Sequence, residues 1–136
     1  MKSTLGSSGP PRVLLVDDND DILARARAVL APTCVVVGTA KDGPSALRAA
    51  EALRPDVIVL DISLQEMTGF EVAAKLRHLG SPTALVFLTL HADEDFVVKA
   101  RAVGAIGYVV KPRLVSDLML AVAEAHVGRG FVSPLR

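Results

Sequence analysis

A chain of 136 residues with one cysteine and no tryptophan has room for a single domain with a modest core. Its formal net charge is zero and its pI is near 6.8, so it carries no electrostatic footprint for DNA, RNA or an anionic membrane. No apolar run approaches the roughly 20 residues of a bilayer span, the N-terminus lacks an apolar signal core, and the lone Cys34 fits a reducing compartment, so a cytoplasmic protein is expected.

Residues 1–11 are small, polar and rich in Pro and Gly, and read as a disordered leader or an appended remnant. Arg12 to Val16 is an apolar strand, followed at once by Asp17-Asp18-Asn19-Asp20-Asp21. Apolar residues at 22, 23, 26, 29 and 30 have helical spacing, and Pro32 stops that helix. Val35 to Gly38 is a second strand, and Cys34, at the head of the apolar run Cys34-Val35-Val36-Val37, reads as a core residue. Asp42 is placed to cap the next helix, with Pro44 in its first turn and Ala46, Leu47, Ala50 and Leu53 facing inward. Val57-Ile58-Val59-Leu60 is a third strand, buried on both faces, and it ends on Asp61.

After the loop from Ile62 to Gly69, Val72, Ala73, Leu76 and Leu79 mark a third helix. Ala84 to Leu88 is a fourth strand, closed by Thr89-Leu90-His91. Phe96, Val97, Ala100 and Val103 mark a fourth helix, with Gly104 suited to its C-terminal cap. Gly107 to Val110 is a short fifth strand followed by Lys111-Pro112. Leu118, Ala121, Val122 and Ala125 line the last helix, which stops near Gly128. Strand-to-strand spacings of roughly 20–25 residues leave room for βαβ crossovers. The expected fold is therefore a doubly wound α/β domain of flavodoxin-like (βα)5 type, with a five-stranded parallel sheet over residues 12–128. Residues 129–136, with Phe131-Val132 exposed, are expected to form a tail or linker.

In such a sheet Asp17, Asp18, Asp61, Thr89 and Lys111 all fall at the carboxyl ends of strands, where open α/β sheets bind ligands. Three carboxylates brought together repel, by about 4 kcal/mol per pair at 4 Å and an effective dielectric of 20. Lys111 supplies one compensating charge, and a hard divalent cation such as Mg²⁺ would complete the balance. Asp61 can then act as a carboxylate nucleophile toward phosphorus, with Lys111 and the Thr89 hydroxyl stabilising the transferred oxygens.

The ordered set VLLVDDND, VIVLDI, Gly69, FLTLH and GYVVKP resembles the receiver domain of bacterial response regulators over about residues 12–128. The resemblance implies that Asp61 is the phosphoacceptor and Asp18 the direct Mg²⁺ ligand, with Asp17 nearby or acting through water. It further implies the main-chain carbonyl of Ser63 as a metal ligand and Lys111 as the phosphoryl-binding lysine. Thr89 becomes the switch hydroxyl, and Tyr108 the aromatic that turns inward when Thr89 moves. A strand order of 2-1-3-4-5 and a cis Lys111-Pro112 peptide bond, as in relatives, are also implied. Many receivers have Met-Pro where this chain has Leu64-Gln65, so a more mobile loop is expected there. Ser63 and His91 occupy the positions where relatives tune phosphoryl lifetime.

The expected function is a signalling module: a sensor histidine kinase phosphorylates Asp61, and the aspartyl phosphate shifts an inactive/active equilibrium through Thr89 and Tyr108. The expected output surface is the fourth helix, fifth strand and fifth helix. Apart from its own phosphorylation and dephosphorylation, such a domain is not an enzyme. The tail resembles receivers that precede a LuxR-type helix-turn-helix output domain, although no DNA-binding helices are present here. Phosphorylation-linked homodimerisation is compatible with this reading, but no sequence feature requires it. The alternative, an aspartyl-phosphate phosphohydrolase of haloacid-dehalogenase type, would want a second Asp where Ser63 stands. A flavodoxin relative would want a Ser/Thr-rich phosphate loop where Asp17-Asp18-Asn19 stands. The plain alternatives for single residues are a helix-capping turn at Asp17-Asp18 and a core tyrosine at Tyr108.

Overall fold

The computed structural model describes residues 9–135. The expected leader therefore lies outside the described residues over 1–8. Gly9 and Pro10 are exposed, and the Pro11 carbonyl accepts a hydrogen bond from Val35 N at 2.9 Å. The strands are β1 (Arg12–Val16), β2 (Val35–Ala40), β3 (Val57–Leu60), β4 (Ala84–Thr89), β5 (Gly107–Val110) and β6 (Phe131–Val132). The helices are α1 (Asp20–Leu30), α2 (Gly43–Leu53), α3 (Gly69–His78), α4 (Glu94–Ala102) and α5 (Leu114–His126). Every strand pairing is parallel, in the order β2-β1-β3-β4-β5-β6.

Side chains alternate across the sheet with the period of two that a strand imposes. Leu14, Val16, Ile58, Leu60, Leu85, Phe87, Tyr108 and Val110 pack beneath α2, α3 and α4. Val13, Leu15, Val57, Val59, Val86, Leu88 and Val109 pack beneath α1 and α5. Both faces are covered, which is why these strands read as continuous apolar runs. Cys34 packs against the second of these faces as a free thiol.

The helix starts follow from capping chemistry. Asn19 accepts from Ile22 N, with Asp20 and Asp21 in the favourable first turn of α1. Asp42 accepts from Ser45 N at 2.8 Å. Thr68 and Glu71 form a reciprocal capping box on α3.

Two expectations are corrected. The sheet has six strands rather than five, because Phe131 and Val132 are half-buried and pair with Gly107 and Tyr108. The stretch read as an exposed tail thus extends the sheet beside β5. The Lys111–Pro112 peptide bond is trans, since no cis bond occurs among the described residues. Pro112 sits inside a short 3-10 turn, Lys111–Arg113, where a trans proline with its fixed φ is well accommodated.

Candidate functional site

Strand order reverses between β1 and β3, and the acidic residues lie at that point. Asp17 follows β1, Asp61 follows β3, and both are buried, whereas Asp18 is exposed. Carboxylate oxygens of all three lie within 4.8 Å of one another. The two buried acids are held in the same way. Asp17 Oδ1 accepts from Asn19 N at 2.9 Å, and Asp61 Oδ1 accepts from Ile62 N at 2.7 Å. Each therefore turns its other oxygen toward Lys111, whose Nζ is 2.9 Å from Asp17 Oδ2 and 3.0 Å from Asp61 Oδ2.

The two contacts differ in quality. Lys111 directs a hydrogen bond at Asp61, whereas Asp17 Oδ2 is buried without a well-aligned donor. Its 2.9 Å approach to Nζ is a charge contact rather than a directed bond. Burial pushes the Asp17 carboxyl above its usual range, against the pull of Lys111 and the Asn19 amide. Burial alone would lower the Lys111 ammonium, but its contacts with Asp17 and Asp61 outweigh this and raise it. One ammonium facing three carboxylates leaves the pocket short of positive charge. An unsatisfied buried carboxylate oxygen beside two further carboxylates is a donor set that suits a hard, oxygen-seeking divalent cation.

Gly69 is needed for the close approach of the next loop. A Cβ there would overlap the Asp61 carbonyl oxygen, and Gly69 N donates to Ile62 O at 2.7 Å. Thr89, at the end of β4, is buried, and its Oγ1 accepts from His91 N at 3.3 Å. Tyr108 on β5 is 2 % exposed, and its hydroxyl donates to His91 O at 2.8 Å. The His91 ring stacks on Phe96 at 4.3 Å between centroids, and its Nε2 lies 3.2 Å from Ser63 Oγ. The strand ends thus bring together all the residues singled out in the sequence: Asp17, Asp18, Asp61, Ser63, Thr89, Tyr108 and Lys111. A broad cleft of about 1040 Å³ lies at the opposite edge of the sheet, lined by Arg48, Arg54, Pro82 and Ile106 among others. It touches none of these residues, so chemistry rather than cavity size selects the site.

The sequence and the fold are both similar to those of known proteins. The family described as "Response regulator receiver domain" matches residues 13–123. The chain belongs to that family. The signal receiver domain of the response regulator NarL from Mycobacterium tuberculosis superposes with a TM-score of 0.85 at 31% identity, covering 89% of this chain and 99% of that one. A LuxR-family two-component response regulator from Aurantimonas superposes with a TM-score of 0.87 at 30% identity, covering 93% and 91%. Among curated proteins, the transcriptional regulatory protein PrrA of Mycobacterium tuberculosis is 38% identical over 120 residues, 88% of this chain and 52% of that protein. The nitrate/nitrite response regulator protein NarL of Escherichia coli K12 is 32% identical over 131 residues, 95% of this chain and 61% of that protein. The chain thus spans between half and two thirds of the length of these curated relatives. It is a phosphoacceptor signalling domain of the two-component type.

Within this receiver the loop after Asp61 runs against the start of α2. Gln65 bridges to Asp42 in parallel fashion, Met67 N donates to Gln65 O at 2.8 Å, and Met67 packs against Gly43. Glu66 takes a left-handed φ of 70° to make the turn.

Sequence reasoning missed a buried pair on the other side of Lys111: Asp117 on α5 and Ser133 just after β6. The available signal was a charged residue on the inward stripe of α5, adjacent to Leu118 and one turn before Ala121.

Proposed function

We propose that Asp61 is the residue of this receiver that takes the phosphoryl group, from a phosphohistidine on a sensor histidine kinase. The observation that carries this reading is the shared Lys111 ammonium between two buried carboxylates, only one of which it satisfies. Asp61 is held by Ile62 N on one oxygen, and its second oxygen is the nucleophile once Lys111 shifts its hydrogen bond to the incoming phosphoryl group. The new oxygen–phosphorus bond forms as the bond to the donor's leaving nitrogen breaks. Lys111 then neutralises charge on the transferred group, and the nearby Thr89 hydroxyl can turn to donate to it.

Asp17, Asp18, Asp61 and the main-chain carbonyl of Ser63 would hold Mg²⁺. When bound, it supplies the positive charge that the phosphoryl oxygens and the crowded carboxylates need. The Thr89 rotation competes with the bond that Thr89 Oγ1 accepts from His91 N. Because His91 O also holds Tyr108, a change at Thr89 reaches β5 through one residue. In this reading the domain turns over no outside substrate. It acts in the cytoplasm, and no helix among the described residues is long and apolar enough to cross a membrane. Its natural output is transcription control through an attached or partner DNA-binding domain, a reading supported by the PrrA relative, which is named a transcriptional regulatory protein. Incubation with a small phosphodonor and Mg²⁺ tests the reading: the intact mass should rise by one phosphoryl group, removable by hydroxylamine.

A further inference from the structure

The turn that carries Lys111 is clamped at both ends by one buried pair. Val110 N, immediately before Lys111, donates to Ser133 Oγ at 3.3 Å. Arg113, which ends the turn, donates from Nε to Asp117 Oδ2 at 2.7 Å and from Nη2 to Asp117 Oδ1 at 3.3 Å. Ser133 Oγ closes the ring by donating to Asp117 Oδ2 at 2.7 Å. Ser133 N also bonds Tyr108 O at 2.8 Å, which seats β6 beside β5. Ser133 is 1 % exposed and Asp117 6 %. Arg113 holds the Asp117 carboxyl below its usual range, with help from Ser133 and Ser116, so the acceptor is ionised at neutral pH.

Packing alone does not require this. A buried carboxylate is costly unless its partners are in place, and an apolar pair would fill the same space with less risk. What the ring achieves is geometric. It fixes the backbone on both sides of Lys111, whose side chain must reach two carboxylates across the strand ends. We infer that Ser133 and Asp117 are positioning residues for Lys111, so that the seating of β6 and the phosphorylation state of Asp61 are coupled. The inference rests on the phosphoacceptor reading above for its second half only. Coupling of this kind is reciprocal: loosening β6 slackens Lys111, and re-pairing Lys111 with a phosphoryl group alters the hold on β6.

The experiment uses the full chain, with acetyl phosphate and Mg²⁺ as the probe, and reads phosphoryl uptake and amide hydrogen exchange together. Ser133→Ala and Asp117→Asn should each slow uptake by about fivefold or more, the low end of ordinary site-to-site coupling. They should also speed exchange at Val110 and Ser133. Ser133→Thr keeps the hydroxyl and should restore both. A merely structural role would lower the melting temperature and leave the uptake rate of the folded protein unchanged, which would overturn the inference. Lys111→Met reads the same coupling from the other side and needs no phosphoryl group. Exchange at Phe131 and Ser133 should change severalfold, while the β2 amides stay as they were. Unchanged β6 exchange in that variant also overturns the inference. If the wild-type chain takes up no phosphoryl group, the phosphoacceptor reading fails, and the Lys111→Met arm still decides whether Lys111 and β6 are coupled.

Discussion

The Tyr108 hydroxyl donates to the main-chain carbonyl of His91 at 2.8 Å, and this bond ties β5 to the loop that follows β4. The ring lies inside the sheet face, tilted against Phe87 at 6.4 Å between centroids. Phe87 meets Phe70 edge-on, Phe70 stacks with Phe96, and Phe96 stacks with His91. The aromatic series therefore closes on the residue whose carbonyl Tyr108 holds. Any movement of the β4–α4 loop has to break or carry this set of contacts.

Tyr108 is the sole tyrosine in a chain without tryptophan, so its titration can be followed directly by ultraviolet absorbance. Burial, with Asp93 and Asp61 adding to it, pushes the phenol from 10.0 up to about 12. The folded state therefore keeps this proton to higher pH than the unfolded state does. The associated stability is fully present below pH 10 and is lost as pH rises toward 12. Lys111, also raised, acts in the same direction above its ordinary value of 10.5. The folded protein should show no phenolate as pH passes 10, and denaturant should bring the midpoint back there. Tyr108→Phe should cost about 1 kcal/mol at neutral pH and flatten the alkaline loss of stability.

Gly69 and Thr68 are neighbours with separable jobs. Gly69→Ala drives a methyl into the Asp61 carbonyl, so the loop or β3 must shift. A loss of about 1–3 kcal/mol is expected, together with slower phosphoryl uptake. Thr68→Ala removes the capping box on α3 at a cost of about 1 kcal/mol and should leave the uptake rate unchanged. Thermal melts and acetyl phosphate labelling of the two variants make the comparison.

Mg²⁺ affinity separates a side-chain ligand from a main-chain one. Asp18→Ala removes a carboxylate and should weaken binding by tenfold or more, about 1.4 kcal/mol. Ser63→Ala leaves the carbonyl in place and removes only the contact with His91 Nε2, so affinity should fall much less. Titration calorimetry with the metal alone reads both, and equal losses would mean that the ligand set is misassigned.

The site was legible because Asp17, Asp61, Thr89 and Lys111 each close or follow an apolar run. Val57 to Leu60 can only be a buried strand, and once the parallel topology follows, Asp61 must share an edge with Asp17, Thr89 and Lys111. The helix caps at Asp42 and Gly104 were readable for the same local reason. β6 was not readable, because two residues show no period and Ser133-Pro134 looks like any turn. Its place depends on an amide of Tyr108's strand and a carboxylate on α5, neither of which is near it in sequence. The loop from Ser63 to Thr68 also escaped, since its path is set by Met67 packing on Gly43 and by the Gln65–Asp42 bridge. Strand alternation puts the Tyr108 ring on a buried face, but the partner of its hydroxyl, the carbonyl of His91, is a tertiary fact as well.

The central claim is that Asp61 is the phosphoacceptor, and labelling of Asp61→Asn beside the unaltered chain tests it most directly. Both proteins are incubated with acetyl phosphate and Mg²⁺ and weighed intact. The account predicts one hydroxylamine-sensitive phosphoryl group on the unaltered chain and none on the folded variant. A phosphoryl group persisting on Asp61→Asn at the wild-type level would contradict it.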